Sequence, residues 1–463
     1  MPDREDLVAL RYRLSRRAFV GASLAGGAAL GALAARHEAR AEPAPPPAPR
    51  SPDRPNVVLI IADDQGWTDF GFMGHPDIKT PRLDALAARG VVFERAYVAA
   101  PLCRPSLASI VTGLYPHQHR ICCNDPAGKG PRNEMDYKYM KDLATVPRLL
   151  RPLGYRSLQT GKWWEHHYGA GGFTDGMTVQ GRHGEAGLAI GRQTMEPIYT
   201  FMDDCAARKE PFFLWYAPMM PHTPHNPPER LLQKYAEARP AADAKYYAMC
   251  EWFDETCGQV LDALQKRGLR ENTLVLFLAD NGWTQGYLAD KEGKARGKRT
   301  PYEGGVRTPV IVEWPGHTKA ARRTDLVSSV DLAPTILAAC GAKATPGMQG
   351  LNLLEAAVGG KALPRQAVFG EAFVHTAVDM ERPGANLQAR WVRQGDWKLI
   401  VPAAGADAAG SPHGKAAAAR DAPANTELFN LAEDPFEAKD QAAARPDQVA
   451  ALRRALDAWW DGR

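Results

Sequence analysis

Net charge is nearly absent from this 463-residue chain. The formal +4 includes seven arginines against four acidic residues in positions 1–41. Those account for three of the four charges, so the remainder carries +1. A near-neutral chain of this size has no electrostatic footprint for nucleic acid. The weakly apolar run GASLAGGAALGALAA (21–35) is too short and too glycine-rich to span a bilayer. Cysteine spacing suited to zinc is lacking, because adjacent Cys122 and Cys123 have no matching Cys or His pair. The seven cysteines (Cys103, Cys122, Cys123, Cys205, Cys250, Cys257 and Cys340) are odd in number, so at least one stays unpaired. No internal repeat is visible, and 45% hydrophobic with 24% charged residues is an ordinary globular composition.

The N-terminus carries a signal. SRRAFV (15–20) has paired arginines followed by Phe at the spacing of a twin-arginine export signal. The apolar run follows, then ARA ending at Ala41, the order of a cleaved export peptide. The expected location is therefore the periplasm or outside the cell, with a twin-arginine translocase as a transient partner and no membrane association after cleavage. Side-chain maturation would precede export, since that route moves folded proteins. The destination is oxidising, so disulfides are allowed. EPAPPPAPRSPDRP (42–55) reads as a stiff spacer.

Continuous β-branched and aromatic runs follow at NVVLIIADD (56–64), PFFLWYAP (211–218), TLVLFLAD (273–280) and TPVIVEWP (308–315). Such runs suit strands buried on both faces. Helical patterns separate them, at KTPRLDALAARG (79–90), VPRLLRPLG (146–154) and YYAMCEWFDETCGQVLDALQKRG (246–268). In the first, Pro81 suits an opening helical turn and Gly90 a cap. The alternation predicts an α/β fold with a large mixed, mostly parallel sheet sandwiched by helices over 56–365. Beyond, short half-exposed strands such as QARWVRQGDWKLIVP (388–402) and a closing helix, PDQVAALRRALDAWWD (446–461), predict a smaller C-terminal α+β domain over 366–463. The Ala/Gly/Asp-rich stretch at 403–424 reads as a mobile loop.

Chemistry gathers at strand ends. The first strand finishes in Asp63-Asp64 and the run at 273–280 finishes in Asp280-Asn281. Either pair alone could be a turn or a helix cap. Two strands delivering oxygen ligands to one edge of an open sheet make a hard-cation site, suited to calcium, or magnesium, rather than zinc. Lys162, His222 and Lys298 each follow or border a buried strand. They would supply positive charge and protons around an anion held there. His225, in the same loop as His222, is the alternative histidine. Cys103 opens the stretch CRPSLASIVTGLYPHQH (103–119), as a core thiol, a disulfide half or a reactive centre.

These motifs resemble the type I sulfatases of the alkaline-phosphatase superfamily, from about residue 56 to the C-terminus. The resemblance is carried by IADDQGW, CRPSLASIVTGLYPHQH, GYRSLQTGKW, LADNGW, YEGGVRTPVIVEWPG, VDLAPTILAACG, GDWKLI and ELFNLAEDP, in that order. It implies an alkaline-phosphatase-like fold. It also implies a formylglycine made from Cys103 by a formylglycine-generating enzyme, and a divalent cation, usually calcium, ligated by Asp63, Asp64, Asp280 and Asn281 beside residue 103. Lys162, His222 and Lys298 match residues that grip sulfate and handle protons, with His222 or Lys298 protonating the leaving oxygen. The aldehyde hydrate has two hydroxyls on one carbon. One attacks sulfur and expels the alcohol; the second then collapses to the aldehyde and expels sulfate by C–O cleavage. Two positions depart from the family pattern: Leu107 stands where an arginine is usual, and Trp164 where a histidine is usual, with His166 or His167 or the Trp164 indole as substitutes.

The expected activity is hydrolysis of sulfate esters, on a carbohydrate or another small organic sulfate. A phosphate or phosphonate monoester hydrolase of the same superfamily is the alternative enzyme, and an inactive anion-binding homologue the alternative of another class.

Overall fold

The computed structural model describes residues 54–127, 138–181, 183–237, 240–283, 296–403 and 425–462. The export signal, most of the Pro-rich spacer and the stretch at 404–424 lie outside the described residues.

The apolar runs form the strands expected of them. The main sheet contains β1 (Asn56–Ala62), β2 (Val91–Tyr97), β3 (Arg156–Gly161) and the short β4 (Asp175–Gly176). It is completed by β5 (Phe212–Ala217), β6 (Thr273–Ala279), β7 (Arg307–Glu313) and β8 (Ala321–Ser328). Their order is β4-β3-β5-β1-β6-β7-β2-β8. Only β7 pairs antiparallel to its neighbours, so the sheet is mixed and mostly parallel.

Alternate residues of the central strand serve opposite faces, as strand geometry requires. Val57, Leu59 and Ile61 pack with α2 (Cys103–Thr112) and α5 (Leu332–Ala339). Val58, Ile60 and Ala62 pack against α1 (Pro81–Arg89), α3 (Glu196–Arg208) and α4 (Ala241–Lys266). Both faces are covered, which explains why β1, β5 and β6 carry no polar alternation. Pro81 does open α1, and Gly90 does cap it, though in an extended rather than a left-handed conformation. Its glycine serves close approach: a Cβ there would lie 2.8 Å from the Glu313 Cβ and 2.9 Å from the Val312 carbonyl.

A second, antiparallel sheet in the order β12-β11-β10-β9 joins β9 (Ala367–Phe373), β10 (Leu387–Gln394), β11 (Trp397–Pro402) and β12 (Glu427–Asn430). The half-exposed strands expected here are a correction, because β10 and β11 are buried on both faces. Ala389, Trp391 and Ile400 pack on Tyr97 and Leu326 of the main sheet. Val392, Leu399 and Val401 lie under Leu452 and Leu456 of α6 (Pro446–Trp459). Arginines and lysines that read as solvent-facing are instead consumed in buried pairs. Lys398 is fully buried, with its Nζ 3.0 Å from Glu303 and 2.9 Å from Glu437, and Glu303 also accepts from the Tyr97 hydroxyl (2.9 Å).

Removing one partner of a buried ion pair leaves an uncompensated charge, which costs about 3–5 kcal/mol. Lys398→Met should therefore lower unfolding free energy by about that much in denaturant titration. A loss below about 1 kcal/mol, the ordinary worth of an exposed pair, would show that these charges do not hold the two sheets together.

Candidate active site

Four neighbouring parallel strands end at one edge of the main sheet, and each delivers a polar group there. Ala62 and Ala279 are register partners, so Asp63-Asp64 and Asp280-Asn281 emerge side by side. The Asp280 N–H donates to the Ala62 carbonyl (2.9 Å) and the Asp63 N–H to the Met220 carbonyl (2.9 Å). Gly161 pairs with Ala217, and the next residue, Lys162, donates its N–H to the Ala217 carbonyl (2.6 Å). The loop after β5 brings in His222.

Cys103 comes from the other direction, as the first residue of α2. Pro105 in that first turn lacks an N–H that would have no helical partner anyway. Ser106 Oγ donates to the Asp280 carbonyl (2.5 Å), buttoning the helix start onto the end of β6. Asp64 adopts a left-handed φ of 63°, and its N–H donates to Asp280 Oδ1 (3.1 Å). A non-glycine residue held there is strained backbone, of the kind that clusters at functional sites.

The result is a dense, buried charge cluster. Lys162 Nζ lies 2.6 Å from Asp63 Oδ1. Lys298 Nζ lies 2.5 and 2.6 Å from the two Asp64 oxygens and donates to Cys103 Sγ at 3.1 Å. The same sulfur is 3.7 Å from Asp64 Oδ1 and 4.0 Å from Asp63 Oδ1. Asn281 Nδ2 donates to Asp64 Oδ1 (2.7 Å) and to the Gly282 carbonyl (2.9 Å), which turns its Oδ1 the other way. His222 holds Nδ1 against the Thr223 carbonyl (2.6 Å) and presents Nε2 to Asp64 Oδ2 at 3.5 Å.

Electrostatics here are out of balance. Burial raises Asp64, but Lys298, His222 and Lys162 outweigh it and hold the carboxyl well below the usual range. For Asp280 the same lysines do not suffice: burial and then Asp63 push it well above the usual range, against Lys162 and Lys298. Burial pushes the Cys103 thiol up to about 12 in spite of both lysines. The lysines themselves are held charged by their carboxylate neighbours, against burial. Burial, then Lys162, lowers His222.

Three buried oxygens in this cluster, Asp63 Oδ2, Asp280 Oδ2 and Asn281 Oδ1, have no hydrogen-bond partner. One ligand atom from each of Asp63, Asp64, Cys103 and Asp280 falls within 4.8 Å of the others. Orphaned oxygens around an excess of carboxylate fit a hard divalent cation such as calcium, which takes six to eight oxygen ligands.

Of the residues singled out in the sequence, Cys103, Asp63, Asp64, Asp280, Asn281, Lys162, Lys298 and His222 converge. His225 packs its ring against Trp283 and Tyr246, 5.1 and 5.9 Å away, with a buried Nε2 that has no hydrogen-bond partner, and burial, then the neighbouring His222, lowers its pKa. Leu107 is buried in the apolar cluster on the α2 side of the sheet. The arginine nearby is Arg104, buried and bidentate with Glu165 (2.7 and 3.0 Å). His167 turns back to accept from the Gly169 N–H (2.9 Å). Sequence reasoning missed two neighbours. Arg192 clamps the loop that carries His222, donating to the Met219 (2.8 Å), His222 (3.0 Å) and Pro224 (3.3 Å) carbonyls. His183 packs on Trp164. Neither sits in a run with strand or helix periodicity, so no local signal marked them. No disulfide occurs among the described residues, which include all seven cysteines, and every one is buried.

A mostly parallel sheet with a buried acidic cluster at its strand ends would suit metal-assisted hydrolysis of an anionic ester. The family model for sulfatases matches residues 55–342, and a model described as N-sulphoglucosamine sulphohydrolase, C-terminal, matches residues 293–407. The chain is 28% identical to N-acetylgalactosamine-6-sulfatase of Rattus norvegicus, over 75% of this chain and 74% of that protein. It is 31% identical to arylsulfatase A of Homo sapiens, over 68% and 70%. Among solved structures it resembles Ps i-CgsB in complex with k-i-k-neocarrahexaose, with TM-score 0.68 and 25% identity over 89% of this chain and 94% of that one. The phosphonate monoester hydrolase of Agrobacterium radiobacter shares the fold, with TM-score 0.65 and 20% identity over 88% and 95%. The chain belongs to the sulfatase family, the type I sulfatases of the alkaline-phosphatase superfamily, and is a sulfuric ester hydrolase.

Calcium binding to the folded state alone should raise stability, by about 2.7 kcal/mol at a hundredfold excess over Kd. Adding calcium to chelator-treated protein should therefore raise Tm. Asp280→Asn should lose most of that rise while melting no lower than wild type without calcium, because it keeps an acceptor for the Asp64 N–H and removes one buried carboxylate. A wild-type Tm indifferent to calcium and magnesium would contradict a cation site at this cluster.

Proposed function

We propose that this protein hydrolyses sulfate esters of a saccharide or small organic alcohol, at a formylglycine generated from Cys103 beside a calcium ion. The observation that carries the reading is the Cys103 sulfur, buried within reach of Lys298, Asp63 and Asp64 while three neighbouring oxygens stand unpartnered. A thiol held at about 12 stays protonated at neutral pH and is a weak nucleophile, which favours Cys103 as a precursor over a thiolate. When present, the aldehyde hydrate would supply the oxygen nucleophile and a second hydroxyl for sulfate release. Bound calcium, or magnesium in its place, would lower the hydroxyl pKa and offset charge on the sulfate. Asp63, Asp64, Asp280 and Asn281 are its ligands in this reading.

Lys162 and Lys298 keep their charge and grip the sulfate oxygens. The departing alkoxide takes its proton from His222 or Lys298. Arg192 acts by positioning, since it fixes the backbone on either side of His222. Because Cys103 and the start of α2 are buried, the formylglycine-generating enzyme must act before α2 packs, and therefore before the twin-arginine translocase exports the folded chain to the periplasm or beyond.

A saccharide substrate is supported by the names of similar proteins, an N-acetylgalactosamine-6-sulfatase and a protein solved in complex with k-i-k-neocarrahexaose. Phosphonate monoester hydrolysis is the second reading, supported by the shared fold of the Agrobacterium radiobacter enzyme. Paired rates on an aryl sulfate and an aryl phosphonate monoester separate the two. The expected result is a higher kcat/KM on the sulfate, abolished by Cys103→Ala with Tm little changed. Faster turnover of the phosphonate by tenfold or more would reverse the assignment.

A further inference from the structure

Lys162, His222 and the acidic cluster line one side of the site, and a second imidazole stands next to them. The turn beginning at His183 is bolted to the end of β3. Trp163 donates its N–H to the His183 carbonyl (3.4 Å), and Thr178 Oγ1 donates to the Gly161 and Gly184 carbonyls (3.4 and 3.3 Å). Gly184 has a left-handed φ of 104°, and a Cβ on it would lie 2.4 Å from the Gly161 carbonyl oxygen, so this approach requires glycine. The half-buried His183 is thereby fixed beside the strand end that carries Lys162. Its ring meets Trp164 edge-on, centroids 4.5 Å apart at 88°. On its other flank it lies 6.2 Å from the ring of His222, whose Nε2 faces Asp64. The Lys162 ammonium lies 5.8 Å from the Trp164 ring, so Trp164 spaces the two basic groups.

We propose that His183 is a substrate-binding residue, donating from its imidazole to a sulfate oxygen of an ester gripped jointly with Lys162 and His222. This rests on the sulfate-ester reading of the site. A ring that merely packs on Trp164 would need no nitrogen. An imidazole that binds an anion does, and phenylalanine separates the two roles.

The test uses calcium-loaded, aldehyde-bearing enzyme and three variants, His183→Ala, His183→Phe and His183→Gln, each checked for a Tm near wild type. Two quantities are read: kcat/KM on an aryl sulfate and competitive inhibition by inorganic sulfate. A hydrogen bond to a charged group is worth about 1.5–3 kcal/mol, so its loss should weaken both by about ten- to a hundredfold. His183→Ala and His183→Phe should lose alike, while His183→Gln, which keeps a donor, should recover part. Wild-type inhibition and turnover in His183→Phe would overturn the proposal and leave His183 as packing for Trp164. If wild type is indifferent to sulfate and cleaves only an aryl phosphonate monoester, the functional reading fails instead. The same variants are then compared on that ester with inorganic phosphate as inhibitor. Equal losses in the Ala and Phe variants there would still make His183 an anion contact, and no loss in Phe would still refute it.

Discussion

Asp63, Asp64 and Asp280 are buried side by side, and like charges at such spacing out of water repel strongly. Lys162 and Lys298 are placed to answer Asp63 and Asp64 respectively. The third carboxylate stays uncompensated, and with it three oxygens stay unpartnered. Much of the architecture serves this imbalance. The register of β1 on β6 makes the two acidic pairs adjacent, and Ser106 ties the start of α2 to the same place. That start also carries the positive end of a ten-residue helix dipole toward the carboxylates. A divalent cation would complete the balance, and an anionic ester would then have a reason to enter.

The two departures from the family pattern are absorbed differently. Leu107 is core, one of the apolar residues that α2 presents to the sheet. Arg104, three residues earlier, is already satisfied by Glu165 and is not a replacement for the usual arginine. Trp164 instead remains at the site, edge-on to His183 and near the Lys162 ammonium.

Four main-sheet strands, β1, β5, β6 and β7, and the acidic pairs were legible because a strand buried on both faces has a continuous apolar run, and the carboxyl end of a parallel strand is where ligands gather; β2, β3, β4 and β8 carry no such run and were not marked. Lys162, His222 and Lys298 were legible only through their shared placement beside buried strands and then through the resemblance, since a lone lysine or a histidine among prolines has no pattern of its own. His183 and Arg192 were invisible for the same reason: their partners, Trp164 and the carbonyls of residues 219–224, are set by tertiary packing. The second sheet was misjudged on exposure. Its charged residues, Lys398 and Arg393 above all, are paired in the interior rather than turned to water, and alternation cannot distinguish those cases.

The central claim is that the buried sulfur of Cys103 is the precursor of an oxygen nucleophile. It is tested most directly by the mass and hydrazide reactivity of the tryptic peptide containing residue 103. The enzyme for this should come from cells that possess a formylglycine-generating enzyme and should first be shown to turn over an aryl sulfate. An aldehyde is expected at position 103, in a fraction that scales with specific activity. A wholly intact thiol in protein that still cleaves sulfate esters would contradict it.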